Sequence, residues 1–256
     1  MTKYGAKLAE GKTKIIYAHP ADPTLIYMVH KDGLTAGDGA RRNTLPGKGK
    51  IACRTTSNVF ALLEREGVAT HYLDRVEEHV NVVKGCAMIP LEVVMRRIAT
   101  GSYIRRNPQV AEGTRFDPVL VETFLKDDAR HDPLIDDAGI VAQGLATQAE
   151  VDYLREAGRR VFGILERAWA KLGVTLVDCK IEFGRTQADG QLVVADVIDN
   201  DSWRLWPAGD KSRMLDKQIY RNMTEVTDER LAALLAKYAQ VADLTDQFSQ
   251  PDREAR

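Results

Sequence analysis

Charged residues alternate with apolar ones in the segment VDCKIEF. As a β-strand, this segment has one apolar face and one face that carries Asp178, Lys180 and Glu182. An ADG turn signal and the apolar segment LVVADVI follow, and together they predict a β-hairpin. A hairpin centred on Asp189 would place Glu182 and Asp196 directly opposite each other.

Two carboxylates on opposite residues repel each other unless a positive group lies between them. Because its strand is nearly all apolar, we expect Asp196 to be partly buried, where an unpaired carboxylate costs several kcal/mol. Oxygen ligands without histidine or cysteine favour Mg²⁺, which retains waters and phosphate oxygens. A solvated strand face is the alternative. The apolar sequence around Asp196 favours a magnesium site that binds a nucleotide.

The composition limits the class of protein. A chain of 256 residues can form one large domain or two packed lobes. Its formal net charge of -1 gives no overall field that would attract nucleic acid or a membrane. Three widely spaced cysteines without a CxxC pattern favour reduced thiols in a cytoplasmic protein. No secretory signal is visible, and no apolar run approaches the roughly 18 residues of a membrane span.

The segment LAEGKTKIIY at residues 8–17 is a strand pattern with a glycine inside it. Gly5 and the following GKT resemble a Walker A motif, but five residues instead of four separate the glycines and the sequence after them is β-like. We therefore reject that motif. Lys12 and Lys14 on one strand face fit a β-ribbon over a polyphosphate, and an edge strand with exposed lysines fits equally well.

Two further segments carry charges suited to ligand binding. The loop TAGDGARR could place Asp38 and Arg41 beside a ligand, although its composition slightly favours a plain surface loop. AMIPLEVVM predicts either a core strand or a strand that crosses between two lobes and binds an adenine. Arginines then surround a Gly-Ser turn, which favours a bound phosphate or carboxylate over exposed surface charges; they are Arg96, Arg97, Arg105 and Arg106.

Helical periodicity is clearest at residues 48–66 and 150–172, each followed by a glycine. The GKG that begins the first of these could bind an anion or serve as a linker. A third helix, capped by Asp228, is predicted near the C-terminus. Residues 107–149 contain prolines and the polar run KDDARHDP, and we interpret them as a long irregular segment.

Together these motifs closely resemble the SAICAR synthetase family of purine synthesis, through EGKTKIIY, TAGDGARR, MIPLEVVMRRIATGS, KDDARHDP, KIEFG, ADVIDNDSWRLWP and DKQIYR. ADVIDNDSWRLWP most resembles the synthetase domain of bifunctional members, whose carboxylase domain would lie beyond residue 256. The resemblance implies an α+β, two-lobed ATP-binding fold. We expect a small antiparallel β-rich lobe at residues 1–88 and a larger mixed sheet-and-helix lobe at residues 89–256.

The resemblance also implies an ATP-dependent ligase that joins carboxyaminoimidazole ribotide and L-aspartate, with small molecules as partners and a homo-oligomer compatible with it. Phosphorylation would convert a carboxylate into an acyl donor, so the protein mainly positions reactants and neutralises charge. A small-molecule kinase and a non-catalytic nucleotide-binding regulator are the other hypotheses. The many charged residues after apolar strands argue against the regulator.

By the same resemblance, the cofactors are ATP and Mg²⁺, and the residues that bind them are Lys12, Lys14, Met88, Glu182 and Asp196. Glu182 and Asp196 would be the metal ligands. The expected substrate-binding residues are Asp38, Arg41, Arg96, Ser102, Arg204, Lys217 and Arg221. At the reacting centre or the aspartate site we expect Lys126, Asp132, Asp178 and Lys180. Many relatives have a second acid where this chain has Val197, and solvent or Asp199 would then replace it.

Overall fold

A computed structural model describes residues 3–36 and 40–249, and it has the expected α+β fold. Its strands are β1 (Lys7–Glu10), β2 (Lys14–Ala18), β3 (Leu25–His30), β4 (Gly33–Ala36), β5 (Arg41–Thr44), β6 (Tyr72–Glu77), β7 (Val80–Lys84), β8 (Cys86–Ile98), β9 (Arg115–Leu125), β10 (Val174–Thr186), β11 (Leu192–Ala195) and β12 (Trp203–Pro207). The helices are α1 (Lys48–Arg65), α2 (Ser102–Arg106), α3 (Asp137–Ala142), α4 (Gln148–Lys171), α5 (Gln218–Asn222) and α6 (Asp228–Thr245).

The first sheet is antiparallel, with the strand order β1-β2-β3-β7-β6. The single strand predicted over residues 8–17 is wrong, because the chain reverses at Gly11 to form β1 and β2. The backbone N–H of Gly11 donates to the carbonyl of Lys14 at 2.9 Å and closes this reversal. Lys12 therefore lies in the turn, while Lys14 begins β2. Strands β4 and β5 form a separate hairpin beside this sheet.

The second sheet has the order β11-β10-β8-β9, and β12 pairs with the N-terminal part of β10. Its long central strands, β8 and β10, carry the charged motifs of the sequence analysis. The predicted helix α4 packs its apolar stripe on this sheet, with Val151, Leu154, Val161, Leu165 and Trp169 buried. Thr147 and Glu150 form a capping box that fixes the start of α4.

Residues 107–149 are more regular than predicted, because they contain β9 and α3. Strand β9 lies at the sheet edge, where Pro118 is tolerated because one side of the strand needs no ladder hydrogen bond. The predicted cap of the last helix is also off by one residue, since the side chain of Thr227 accepts the capping hydrogen bond from the N–H of Arg230. The helices α1 and α4 are confirmed.

Helix α1 connects the two sheets, because its Val59, Phe60 and Leu63 belong to the core under the second sheet. A smaller core forms where α5 and α6 meet the β4–β5 hairpin, around Leu34 and Tyr220. The division of the chain near residue 88 stays a prediction. None of the helices within residues 3–36 and 40–249 is long and apolar enough to cross a bilayer. The cysteines are free thiols, as expected.

Candidate active site

Strands β10 and β11 form the predicted hairpin, but its register differs by one residue. Glu182 pairs with Ala195, so the predicted direct opposition of Glu182 and Asp196 is wrong. Strand β11 ends at Ala195, and Asp196 has a φ of 67°, in the left-handed region that turns the chain out of the strand. The Asp196 side chain keeps only 18% of its surface exposed, which confirms its expected partial burial.

The acid that does lie opposite Glu182 is Glu92, on the neighbouring strand β8. Between them is the ammonium group of Lys180, whose Nζ lies 2.7 Å from Glu182 Oε1 and 3.0 Å from Glu92 Oε1. Lys126, which directly follows β9, places its Nζ 2.6 Å from Glu182 Oε2. The need for a positive group between opposed carboxylates is therefore met by lysines, at a different pair of acids.

These ion pairs shift the proton affinities of their members. Burial opposes ionisation of Glu182, but Lys180 and Lys126 outweigh it and lower the pKa of Glu182 from 4.5 to about 2. Burial also lowers the pKa of Lys180, yet the carboxylates of Glu182 and Glu92 outweigh that effect and leave this pKa raised. Both groups are consequently charged at neutral pH.

Lys14 adds the first sheet to the same site. Its ammonium group forms an ion pair with Asp196. Burial is the main reason that the pKa of Lys14 is lowered to about 8, and nearby Glu182 counteracts it. We call the whole group the ion-pair cluster; its members are Lys14, Glu92, Lys126, Lys180, Glu182 and Asp196.

The oxygen atoms of the ion-pair cluster fit a magnesium ion under one condition. Within the described parts of the chain, no three acidic, histidine or cysteine side chains converge on a single point. Mg²⁺ needs only one or two carboxylates when phosphates and waters complete its six ligands. Glu182 and Asp196 can supply those carboxylates, provided that their lysine partners turn to the phosphates of a nucleotide. A polyphosphate and the metal would then bind together.

A second group of charges lies nearer the start of β10, around Asp178. Asp178 pairs across the sheet with Arg96 on β8 and Arg204 on β12, and its Oδ2 accepts from their Nη1 atoms at 3.1 and 2.5 Å. Arg96 also donates to Glu122 Oε2 at 2.6 Å and to Ser102 Oγ at 3.3 Å. We call these five residues the arginine cluster. Four of its members are predicted site residues, namely Arg96, Ser102, Asp178 and Arg204.

Gly101 is required by the geometry of the arginine cluster. Its φ of 59° with a ψ of -128° is a conformation that essentially only glycine adopts. In addition, a Cβ atom at this position would lie 2.5 Å from Nη2 of Arg204. The Gly-Ser turn noted in the sequence therefore packs directly against one of the predicted substrate-binding arginines.

A third group surrounds Asp201, which lies in the loop between β11 and β12. Its Oδ2 is 3.0 Å from Nζ of Lys217 and 3.4 Å from Nζ of the fully buried Lys48, and Tyr238 donates to Oδ1 at 3.3 Å. Burial opposes ionisation, but the two lysines outweigh it and lower the pKa of Asp201 to about 2. Burial is the main reason that the pKa of Arg221 is lowered, and the nearby carboxylate of Asp201 counteracts this effect.

The remaining predicted residues are more scattered. Arg41 donates to the carbonyls of Tyr220 and Met223 at 2.9 Å and thereby holds the C-terminal end of α5. Met88 is 42% exposed and is opposite Gly184 on β10. Asp132 accepts a hydrogen bond from the N–H of Asp127 at 2.8 Å. Asp38 lies outside the described residues.

Sequence reasoning missed several residues of these groups, namely Lys48, Glu92, Glu122, Asp201 and Tyr238. A signal existed for Glu92, because one acid inside the apolar run MIPLEVVM is the same anomaly that drew attention to Asp196. Lys48 gave no such signal, since the GKG around it is equally typical of a linker or of an anion-binding helix start. Only the fold reveals that its side chain is buried against Asp201.

The chain is similar to known proteins in sequence and in fold. The family profile described as SAICAR synthetase matches residues 7–236. The phosphoribosylaminoimidazole-succinocarboxamide synthase of Herpetosiphon aurantiacus is 65% identical over 246 residues, which cover 96% of this chain and 99% of that protein. A solved SAICAR synthetase in complex with ADP has a TM-score of 0.84 and 32% identity, and the match covers 95% of this chain and 99% of that one.

The expected similarity to bifunctional members is also present. The bifunctional carboxylase/synthetase of Drosophila melanogaster is 46% identical over 247 residues, but these cover only 57% of its length. This identity is lower than that to the Herpetosiphon protein, of which 99% is matched. Family profile, sequence relatives and fold agree, and the chain belongs to the SAICAR synthetase family.

Proposed function

We propose that the chain is a phosphoribosylaminoimidazole-succinocarboxamide synthase of purine biosynthesis. It joins carboxyaminoimidazole ribotide and L-aspartate and converts ATP to ADP and phosphate. The observation that carries this conclusion is the 65% identity to a synthase of that name along nearly the whole chain. The three charged groups around β10 supply the chemistry that this reaction needs.

The ion-pair cluster is suited to the phosphoryl-transfer step. A carboxylate is a poor acyl donor, and its phosphorylation creates a leaving group that the amine of aspartate can displace. Lys14 and Lys126 are the lysines that would turn from their carboxylates to the phosphates, because Lys14 begins β2 in the first sheet and Lys126 follows the edge strand β9, whereas Lys180 lies within β10 itself. Glu182 and Asp196 would hold Mg²⁺, which neutralises phosphate charge when it is bound. Lys180 then remains beside the reacting groups.

The adenine and the ribotide would occupy the two ends of this site. Exposed Met88 offers an apolar wall for the base, and the solved relative with ADP supports the use of ATP. In the arginine cluster, Arg204 keeps 15% of its side-chain surface exposed and retains N–H groups for an anion. Lys217 and Arg221, beside Asp201, are the cations available to a carboxylate of aspartate.

Product analysis tests this proposal. Wild-type protein with ATP, Mg²⁺, the ribotide and L-aspartate is expected to form SAICAR, and ADP release should require both substrates. Glu182→Gln is expected to lower product formation by at least about 100-fold with an unchanged circular dichroism spectrum, because electrostatic terms of this kind contribute that much to catalysis. ADP formation without aspartate, together with a stable phosphorylated product, would instead show a kinase.

A further inference from the structure

Glu92 has a position that the proposed function does not use. It lies in the middle of β8, directly opposite Glu182 on β10, and its side chain is 23% exposed. Lys180 is the diagonal neighbour of Glu92, because it pairs with Val94, two residues further along β8. The separation of 3.0 Å between Nζ of Lys180 and Oε1 of Glu92 is that of a charged hydrogen bond.

Lys180 thus forms ion pairs with two carboxylates that differ in their other partners. Glu182 also binds Lys126 and is one of the two acids that would hold the metal. A metal ion bound to Glu182 would repel the ammonium group of Lys180 and weaken its attraction to that carboxylate. The 2.7 Å contact of Lys180 with Glu182 would then weaken, while its contact with Glu92 persists.

We propose that Glu92 is a positioning residue that holds the ammonium group of Lys180 in place while Glu182 is engaged by the metal and nucleotide. The inference rests on the proposed function, because it takes Glu182 as a metal ligand. Without the carboxylate of Glu92, Lys180 has Glu182 as its remaining acidic partner in the ion-pair cluster. It then competes with the metal for that carboxylate, and it leaves its place when the metal prevails.

The test measures ADP affinity by titration calorimetry, with and without Mg²⁺. In Glu92→Gln, the factor by which Mg²⁺ tightens ADP binding is expected to fall about tenfold, within the usual range of coupling between sites. The kcat for SAICAR formation is expected to fall about tenfold as well, with little change in the KM for the ribotide, because the arginine cluster is untouched.

Glu166→Gln is the matched control. Glu166 is 26% exposed, bonds Arg97 at 2.6 and 2.8 Å and lies 3.8 Å from Arg115, so this substitution also removes half-buried ion pairs to the sheet, but away from the ion-pair cluster. It is expected to leave the effect of Mg²⁺ on ADP binding unchanged. If Glu92→Gln behaves like Glu166→Gln, the role of Glu92 is structural only and the inference is overturned.

A double-mutant cycle shows whether Glu92 acts through Lys180. In a Lys180→Met background, Glu92→Gln is expected to have no further effect on the Mg²⁺ dependence of ADP binding. An equal effect in both backgrounds would overturn the inference. Glu92→Asp, which keeps the charge but shortens the side chain, should reduce the effect of Mg²⁺ on ADP binding less than Glu92→Gln does. If Glu92→Gln does not fold, Glu92→Asp takes its place in the test. An effect of Mg²⁺ on ADP binding equal to that of the wild type would then overturn the inference.

The outcomes separate this inference from the proposed function. A wild-type protein that binds ADP with Mg²⁺ but makes no SAICAR would disprove the proposed function, and the ADP titrations would still decide the role of Glu92. An active wild type whose Glu92→Gln variant matches the control would disprove the role of Glu92 alone.

Discussion

Replacing Glu182 with glutamine tests whether the ion-pair cluster is ionised in the protein without ligands. Its lysine partners, outweighing burial, lower the pKa of Glu182 from 4.5 to about 2. A shift of that size corresponds to about 3 kcal/mol between the charged and neutral forms, at about 1.4 kcal/mol per pKa unit. The side chain is only 3% exposed, so solvent screening removes little of this energy. Glu182→Gln should therefore lower the free energy of unfolding at pH 7 by about 3 kcal/mol.

The pH dependence of this difference has a definite sign. A carboxylate with a lowered pKa stabilises the folded state above its ordinary pKa, and the benefit is lost as the pH falls towards the folded-state pKa. Urea unfolding in EDTA should give a constant difference between wild type and Glu182→Gln from pH 7 to about 5.5. The difference should narrow below about pH 4.5 and be about 1 kcal/mol near pH 3.

Glu166→Gln is again the control, and it should cost less at pH 7 because Glu166 is more exposed and water screens its ion pair. A difference for Glu182→Gln below about 1 kcal/mol at pH 7, or one that does not change between pH 7 and pH 3, would refute the reasoning. It would mean that the two lysines do not hold Glu182 as the structure places them.

Three further predictions concern the other parts of the site. Burial lowers the pKa of Lys14 to about 8, and the phosphates of bound ADP should restore its charge. Calorimetry in two buffers at about pH 8.5 should therefore detect proton uptake when ADP binds to the wild type and none when it binds to Lys14→Met. Gly101→Ala should push Arg204 aside and weaken ribotide binding, measured by calorimetry, at least about tenfold, while the affinity for ADP stays unchanged. Lys48→Met should lower the free energy of unfolding in urea by about 3 kcal/mol, because it breaks the ion pair between the buried Lys48 and Asp201, whose side chain is only 16% exposed.

Long periodic segments were predictable from the sequence, and short or interrupted ones were not. Helices α1 and α4 and the hairpin of β10 and β11 were recognised, because each repeats its apolar period over many residues. Strand β9 was missed, since Pro118 interrupts a pattern that only an edge position makes tolerable. The turn at Gly11 was missed because apolar residues on both sides resemble one strand.

The site was predictable in its chemistry but not in its pairing. Charges inside apolar strands identified Asp178, Glu182 and Asp196 before any fold was known. The register could not be read, because the hairpin closes with a hydrogen bond of 3.0 Å from the N–H of Thr186 to the carbonyl of Gln191, which centres the turn between Ala188 and Asp189 instead of on Asp189. A shift of one residue replaces Asp196 with Ala195 opposite Glu182.

The acid pattern alone specifies a need for positive charge, but not which cation meets it. In the ion-pair cluster, three lysines balance three carboxylates. If Glu182 and Asp196 hold the metal as proposed, neither would be a bare ligand, because each already pairs with a lysine. The phosphates of a nucleotide would attract those lysines, and the metal would attract the carboxylates. The ion pairs would thus weaken the binding of metal or nucleotide alone and favour the binding of both together.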